Sequence, residues 1–164
     1  QTLALIQRRA DDPAAVASLA RRQERELRTW LYGNQSTETT LQGALAGIRS
    51  EVEQVFPVAV EVVCVGDAEL DEASRALVQA VGEAVTNAAK HSGSERIDVF
   101  AEAEPDTLAV FIRDRGVGFD IDAVDPDRMG VRESIQARME RHGGTVRIRS
   151  GPGEGTEVIL EMNR

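Results

Sequence analysis

Apolar side chains recur at Ala73, Ala76, Leu77, Ala80, Val81, Ala84, Val85 and Ala88, in steps of three and four. That spacing gathers them on one face and predicts the longest helix of the chain, from about Asp71 to Ser92. Asp71 stands where an N-cap is needed, and Gly93 where the helix must stop. Upstream, Leu41, Leu45, Ile48, Val52 and Val55 mark a helix capped by Thr39 or Thr40 and broken by Phe56-Pro57. Val58, Val60 and Val62 then alternate with other residues in a strand over Val58–Val65, closed by a turn at Gly66-Asp67. Ile97–Ala103 and Leu108–Asp114 alternate apolar and polar residues around Glu104-Pro105-Asp106-Thr107, a hairpin signal. A loop from Asp120 to Met129 leads to Gly130 and a helix through about Arg141, stopped by His142-Gly143-Gly144. Thr145–Arg149 and Glu157–Glu161 are two more strands, joined by a glycine-rich turn.

Residues 1–34 follow a different plan. Gln1–Arg9 reads as helix, and Asp12-Pro13 restarts the chain with an N-cap and a proline at the first helical position. A second helix runs to about Tyr32, with Val16, Leu19, Ala20, Leu27, Trp30 and Leu31 on its apolar side. The two arms differ in length, about nine residues against about twenty, so the hairpin cannot cover the far half of its longer arm. A chain cut inside its first helix is therefore expected, with a short helix docked on the domain as the alternative. Two domains are expected: 1–34, a truncated helical hairpin, and 35–164, a domain that mixes helices and strands.

A formal charge of −9 repels polyanions and argues against nucleic-acid binding. A phosphorylated ligand would need local positive charge, a cation and backbone N–H groups. Lys90 is the only lysine, so a compact ammonium is used at one place in a chain that otherwise uses arginine. With Cys64 as the only cysteine, disulfide frameworks and cysteine zinc sites are excluded, and Cys64 is expected to pack as a small apolar residue. No apolar run approaches the roughly 20 residues that span a bilayer, and no signal peptide is visible, so a cytoplasmic location is expected.

On a stripe beside the apolar face of the Asp71–Ser92 helix, Glu83, Asn87 and His91 stand four apart, with Lys90 adjacent. Alone, such a stripe is ordinarily a solvated helix face. Asp114-Arg115-Gly116-Val117-Gly118 closes a strand with an acid and two spaced glycines. A carboxylate there can accept from an exocyclic amine, and the glycines leave room for a flat base. Gly151, Gly153 and Gly155, followed by Thr156, form a third cluster. Each alone would be a turn; the series and its order carry the signal.

That series resembles the ATP-binding domain shared by gyrase, the Hsp90 chaperones, histidine kinases and MutL, over roughly Leu41 to Met162. Glu83-Ala-Val-Thr-Asn87-Ala-Ala-Lys90-His91-Ser92 is similar to the first box of histidine kinases that pair with regulators of the LuxR/NarL type. The short lid Asp120–Met129 and the helix ending Arg28-Thr29-Trp30-Leu31-Tyr32-Gly33 fit that branch. The resemblance implies an α+β fold, a two-layer sandwich (the Bergerat or GHKL ATP-binding fold) whose mixed five-stranded sheet carries helices on one face, with an N-terminal helical hairpin. It implies that Asn87 binds Mg²⁺ bridging the ATP phosphates, and that Glu83 orients a water or polarises the metal shell. Lys90 and His91 should contact phosphate. Asp114 should accept from the adenine amine, with Gly116 and Gly118 shaping the pocket and Thr156 supporting Asp114 through a water. Gly130 and Val131 should open a helix whose N–H groups meet the phosphates, and Gly153 and Gly155 should line the mouth. The sequence departs from the family at Asp127-Arg128-Met129, where Gly-Leu is frequent, which leaves Arg128 and Arg132 as candidate phosphate ligands.

Such kinases move the γ-phosphoryl group to a histidine on their own dimerisation helix, and neither His91 nor His142 has that setting. Gln1-Thr2-Leu3 matches the end of the branch's acceptor pattern, which would place the missing histidine five positions before Gln1. Gln1 would then position water for dephosphorylation of the regulator, or be an ordinary helix-surface residue. The expected function is the catalytic part of a sensor histidine kinase, homodimeric at full length, with ATP and Mg²⁺ as cofactors and a LuxR/NarL-type response regulator as partner. The fragment itself should not self-phosphorylate. An anti-sigma serine kinase, an ATP-sensing module without turnover and a plain interaction domain are the alternatives.

Overall fold

A computed structural model describes residues 38–123 and 126–164, leaving aside the side chains of 126–128. The expected hairpin over 1–34, Gln1 within it and the side chain of Arg128 lie outside the described residues. Helix α1 (Leu41–Val55) leads to β1 (Ala59–Val65), α2 (Glu72–His91), β2 (Arg96–Ala103) and β3 (Thr107–Asp114). A 3₁₀ turn at Ile121–Ala123 precedes α3 (Pro126–Arg141), β4 (Thr145–Gly151) and β5 (Gly155–Asn163).

The strands form one sheet in the order β1-β2-β3-β5-β4. β1 and β2 are parallel, because α2 carries the chain back across the sheet between them. The other three pairings are antiparallel, with the β2–β3 and β4–β5 hairpins where the sequence places them. Alternation decides which face is covered. Val60, Ile97, Val99, Leu108, Val110, Ile112 and Leu160 turn toward the helices and pack with Leu41, Leu45, Leu77, Val81, Val85 and Met139. Complete burial of a side chain such as Leu77 contributes roughly 2 kcal/mol. The opposite face carries the ion pairs Arg96–Asp98, Arg147–Glu161 and Arg149–Glu157, and the tilted ring pair Phe100–Phe111. The mixed five-stranded sheet with helices on one face is thus the expected one.

Two helix starts decide where the site can form. Asp71 accepts from the Ser74 amide at 2.8 Å while its own N–H donates to Ser74 Oγ at 2.7 Å, a reciprocal cap that fixes the register of α2. The Ser74 amide holds the Asp71 carboxyl below the usual carboxylate range. Helix α3, by contrast, begins at Pro126, four residues before the expected Gly130. Proline suits a first helical position because its missing N–H needs no partner there. Gly130 and Val131 therefore lie in the second turn, where their N–H groups are spent on the helix itself. The expected presentation of those N–H groups to phosphates is corrected accordingly. Cys64 packs half-buried against the core, as expected, and burial pushes its thiol upward.

Candidate functional site

A cavity opens between α2, α3 and the ends of β3, β4 and β5. Its floor is apolar, made by Ala84, Ala88, Ile112, Ile135, Ile148 and Val158. Polar groups stand around it: Asn87, His91 and Ser92 from α2 and its end, Asp114 from β3, Arg132 from α3 and Thr156 from β5. Gly118, Phe119 and Val131 complete the wall. An apolar cavity with a few directed polar groups at its wall suits a small ligand that joins an apolar body to a polar or charged end.

Asp114 is the most buried charge-bearing group of the site, only 3% exposed. Its position follows from strand alternation, since Leu108, Val110, Ile112 and Asp114 share the inward face of β3. Burial pushes its carboxyl above the usual carboxylate range, and the Gly116 and Thr156 amides oppose that rise. Gly116 N–H donates to Asp114 Oδ1 at 2.9 Å, which aims the carboxylate and leaves acceptor capacity on it.

The segment after Asp114 is stitched to two neighbours. Val117 N–H donates to the Ser92 carbonyl at 2.9 Å, tying it to the end of α2. Gly153 N–H donates to the Val117 carbonyl at 2.7 Å, tying it to the β4–β5 turn. A Cβ on Gly116 would run into the Ser92 carbonyl, and one on Gly118 into the Gly151 carbonyl. These glycines permit backbone-to-backbone approach within the protein, and Gly118 also lines the cavity wall. Gly155 is likewise pressed against the Asp114 carbonyl, and Gly153 belongs to the stitch.

The α2 stripe divides. Asn87 and His91 reach the cavity, whereas Lys90 is exposed outside the lining. Glu83 also lies outside the lining, and its Oε2 accepts from Arg138 Nη1 of α3 at 2.6 Å. Among the α3 residues, Val131 and Arg132 reach the wall and Gly130 does not. Ser92, Ser150 and Arg138 were missed by sequence reasoning. Ser150 had a signal, because Val146, Ile148 and Ser150 alternate onto the inward face of β4. The Arg138–Glu83 contact had none, since 55 positions separate the partners.

Residues 72–164, more than half of the chain, match the family described as histidine kinase-, DNA gyrase B-, and HSP90-like ATPase. The chain belongs to this ATPase family. It is 32% identical over 109 residues, 60% of its length, to the signal transduction histidine-protein kinase/phosphatase DegS of Bacillus subtilis. It is 36% identical over 87 residues, 52% of its length, to the nitrate/nitrite sensor protein NarQ of Escherichia coli. A sensor-like histidine kinase of Chloroflexus aurantiacus aligns over 88% of the chain at 30% identity. The matched regions span 27%, 15% and 26% of those three proteins, so the chain corresponds to a minor part of each. The ATP-binding domain of PrrB from Mycobacterium tuberculosis superimposes with a TM-score of 0.60 at 20% identity, over 73% of this chain and 90% of that one. The mycobacterial sensor histidine kinase MprB gives 0.54 at 20% identity, over 73% and 89%. These likenesses bear on the fold of the ATPase core.

Among the described residues no group of three or more His, Cys, Asp or Glu could hold a metal ion. A magnesium ion needs no such cage, because it takes one or two protein oxygens and completes its shell with water and substrate phosphates. The Asn87 carboxamide at the cavity wall is a hard oxygen donor of that kind, so the donor set fits an ion that arrives with a nucleotide.

Proposed function

We propose that this chain binds Mg-ATP in the cavity between α2, α3 and the sheet and serves as the catalytic region of a sensor histidine kinase. In the whole protein the γ-phosphoryl group passes to a histidine on a dimerisation helix and then to a response regulator of the LuxR/NarL type. The observation that carries the proposal is Asp114: a carboxylate buried at the end of a strand, held by the Gly116 amide, at the apolar cavity bounded by Asn87 and His91. A buried acceptor of that kind matches the amino group of adenine, and the apolar floor matches its ring faces. Asn87 would hold Mg²⁺, which neutralises part of the phosphate charge when bound. His91 and Arg132 stand at the wall to contact phosphate, with Lys90 outside it as a longer-range cation. Glu83, beside the site, would orient a water or polarise the metal shell. Gln1, which lies outside the described residues, would position water for the reverse reaction. Homodimerisation of the full-length protein and a cytoplasmic setting for the core belong to the same proposal, and among the described residues no helix is long and apolar enough to cross a membrane.

Two measurements test it. Calorimetry of the chain with Mg-ADP should show one-site binding that is lost in an N87A/D114A double variant. Joining a histidine-bearing dimerisation helix to the N-terminus of the chain should then produce phosphohistidine from ATP. Stoichiometric phosphorylation of His91 or His142 in the unextended chain would contradict this assignment.

A further inference from the structure

Ser150, next to last in β4, lies on the inward face, and its Oγ has three partners at one distance. Phe119 N–H, the Gly155 carbonyl and Thr156 Oγ1 each lie 2.9 Å away. A serine hydroxyl has one proton and two acceptor lone pairs. The Phe119 amide can only donate, so it takes one lone pair. The Gly155 carbonyl can only accept, so it takes the proton. The Thr156 contact must then run from the threonine proton to the remaining lone pair of Ser150. Thr156 lines the cavity, and its Oγ1 is thereby left with acceptor capacity alone for any further partner. Thr156 stands opposite Asp114 in the β3–β5 register, so two acceptors share the inner end of the slot.

We infer that Ser150 is a positioning residue that sets purine specificity: by holding the Thr156 hydroxyl as an acceptor, it makes the slot select a 6-amino purine and reject a 6-oxo purine. The inference rests on the nucleotide-binding proposal above and deepens it. A 6-amino group supplies the protons that two acceptors require. A water between base and protein reaches the same result, because its own protons turn to Thr156 and Asp114 and only its lone pairs face the base. A 6-oxo group meets acceptors in either arrangement, and an unmatched buried acceptor is costly. Without the Ser150 hydroxyl, the Thr156 proton is free to turn toward the slot and can serve a 6-oxo group.

The test is calorimetry of the 164-residue chain with Mg-ADP and with Mg-IDP, read as the ratio of the two dissociation constants. S150A should narrow the preference for ADP on the order of tenfold, and S150T should restore it. S150C fills the same place with a weak donor and acceptor and should narrow the ratio as well, which keeps the test decisive if S150A is unfolded. T156V should narrow the ratio by itself, and S150A added to T156V should change it no further, because Ser150 acts through that hydroxyl. A ratio unchanged in S150A and S150C, or one that falls equally in the T156V background, overturns the inference. A wild-type chain that takes up neither nucleotide instead overturns the binding proposal beneath it, and the two failures are told apart by whether a ratio exists.

Discussion

Arg138 Nη1 donates to Glu83 Oε2 at 2.6 Å and so joins the middle of α2 to the last turns of α3. Both side chains are about two-thirds covered, so this pair is screened less than the ion pairs on the open face of the sheet. Its partners come from the helix that carries Asn87 and from the helix that carries Arg132. Replacement of Arg138 by methionine leaves Glu83 without that partner and loosens the join. The expected cost is about 1 kcal/mol, read as a fall in the denaturant midpoint. A double-mutant cycle with E83Q should return most of that as coupling between the two sites, and a coupling of zero would show the contact to be idle.

Asp114 supplies a prediction of opposite sign for stability and binding. Burial raises its folded-state pKa, so the folded chain holds a proton more tightly than the unfolded one. Its contribution to stability is therefore greatest below the ordinary carboxylate value and is lost as pH rises through the raised one. D114N removes that charge. Thermal unfolding of the ligand-free protein near pH 8 should occur at higher temperature in D114N than in wild type, with the difference shrinking as pH falls. Mg-ADP affinity should drop about tenfold or more, because the amide puts a donor where only an acceptor serves.

G116A tests the stitched loop. A methyl group there must displace the Ser92 carbonyl, which the Val117 amide also needs. Overpacking of this kind costs about 1–3 kcal/mol. Urea denaturation should show that loss, together with weaker Mg-ADP binding, whereas G130A, with open space around its Cβ and a place inside α3, should show neither.

The cap of α2 gives a pH-dependent prediction. D71A removes the acceptor for the Ser74 amide and should cost about 1 kcal/mol at pH 7. The wild-type carboxyl is held low by that amide, so its contribution is present above the ordinary carboxylate range and fades as pH falls through the lowered value. Unfolding curves of wild type and D71A should therefore converge in acid. A constant gap would mean that the loss is one of packing and not of capping.

Much of this architecture was legible from short-range pattern. Steps of three and four gave α2 and its cap, because one face of a helix must be buried. Alternation gave β2 and β3, because a strand turns every second side chain to the same side, and in the structure the same alternation turns Asp114 inward. The order of the glycine clusters pointed to the family. The start of α3 was missed because Gly130 looked like a boundary while Pro126, a better first residue, stood inside a polar loop.

What the sequence by itself determined, over the described residues, is the set of elements and the face most of them bury, since local periodicity and turn chemistry act within a few residues. Only the tertiary structure decided the partners. Glu83 meets Arg138 instead of the cavity, the glycines after Asp114 serve backbone contacts with Ser92 and Gly151, and Ser150 governs the proton of Thr156. Each of these is a contact made when packing closes distant segments on one another, and a hydrogen bond depends on ångström distances that no spacing along the chain encodes.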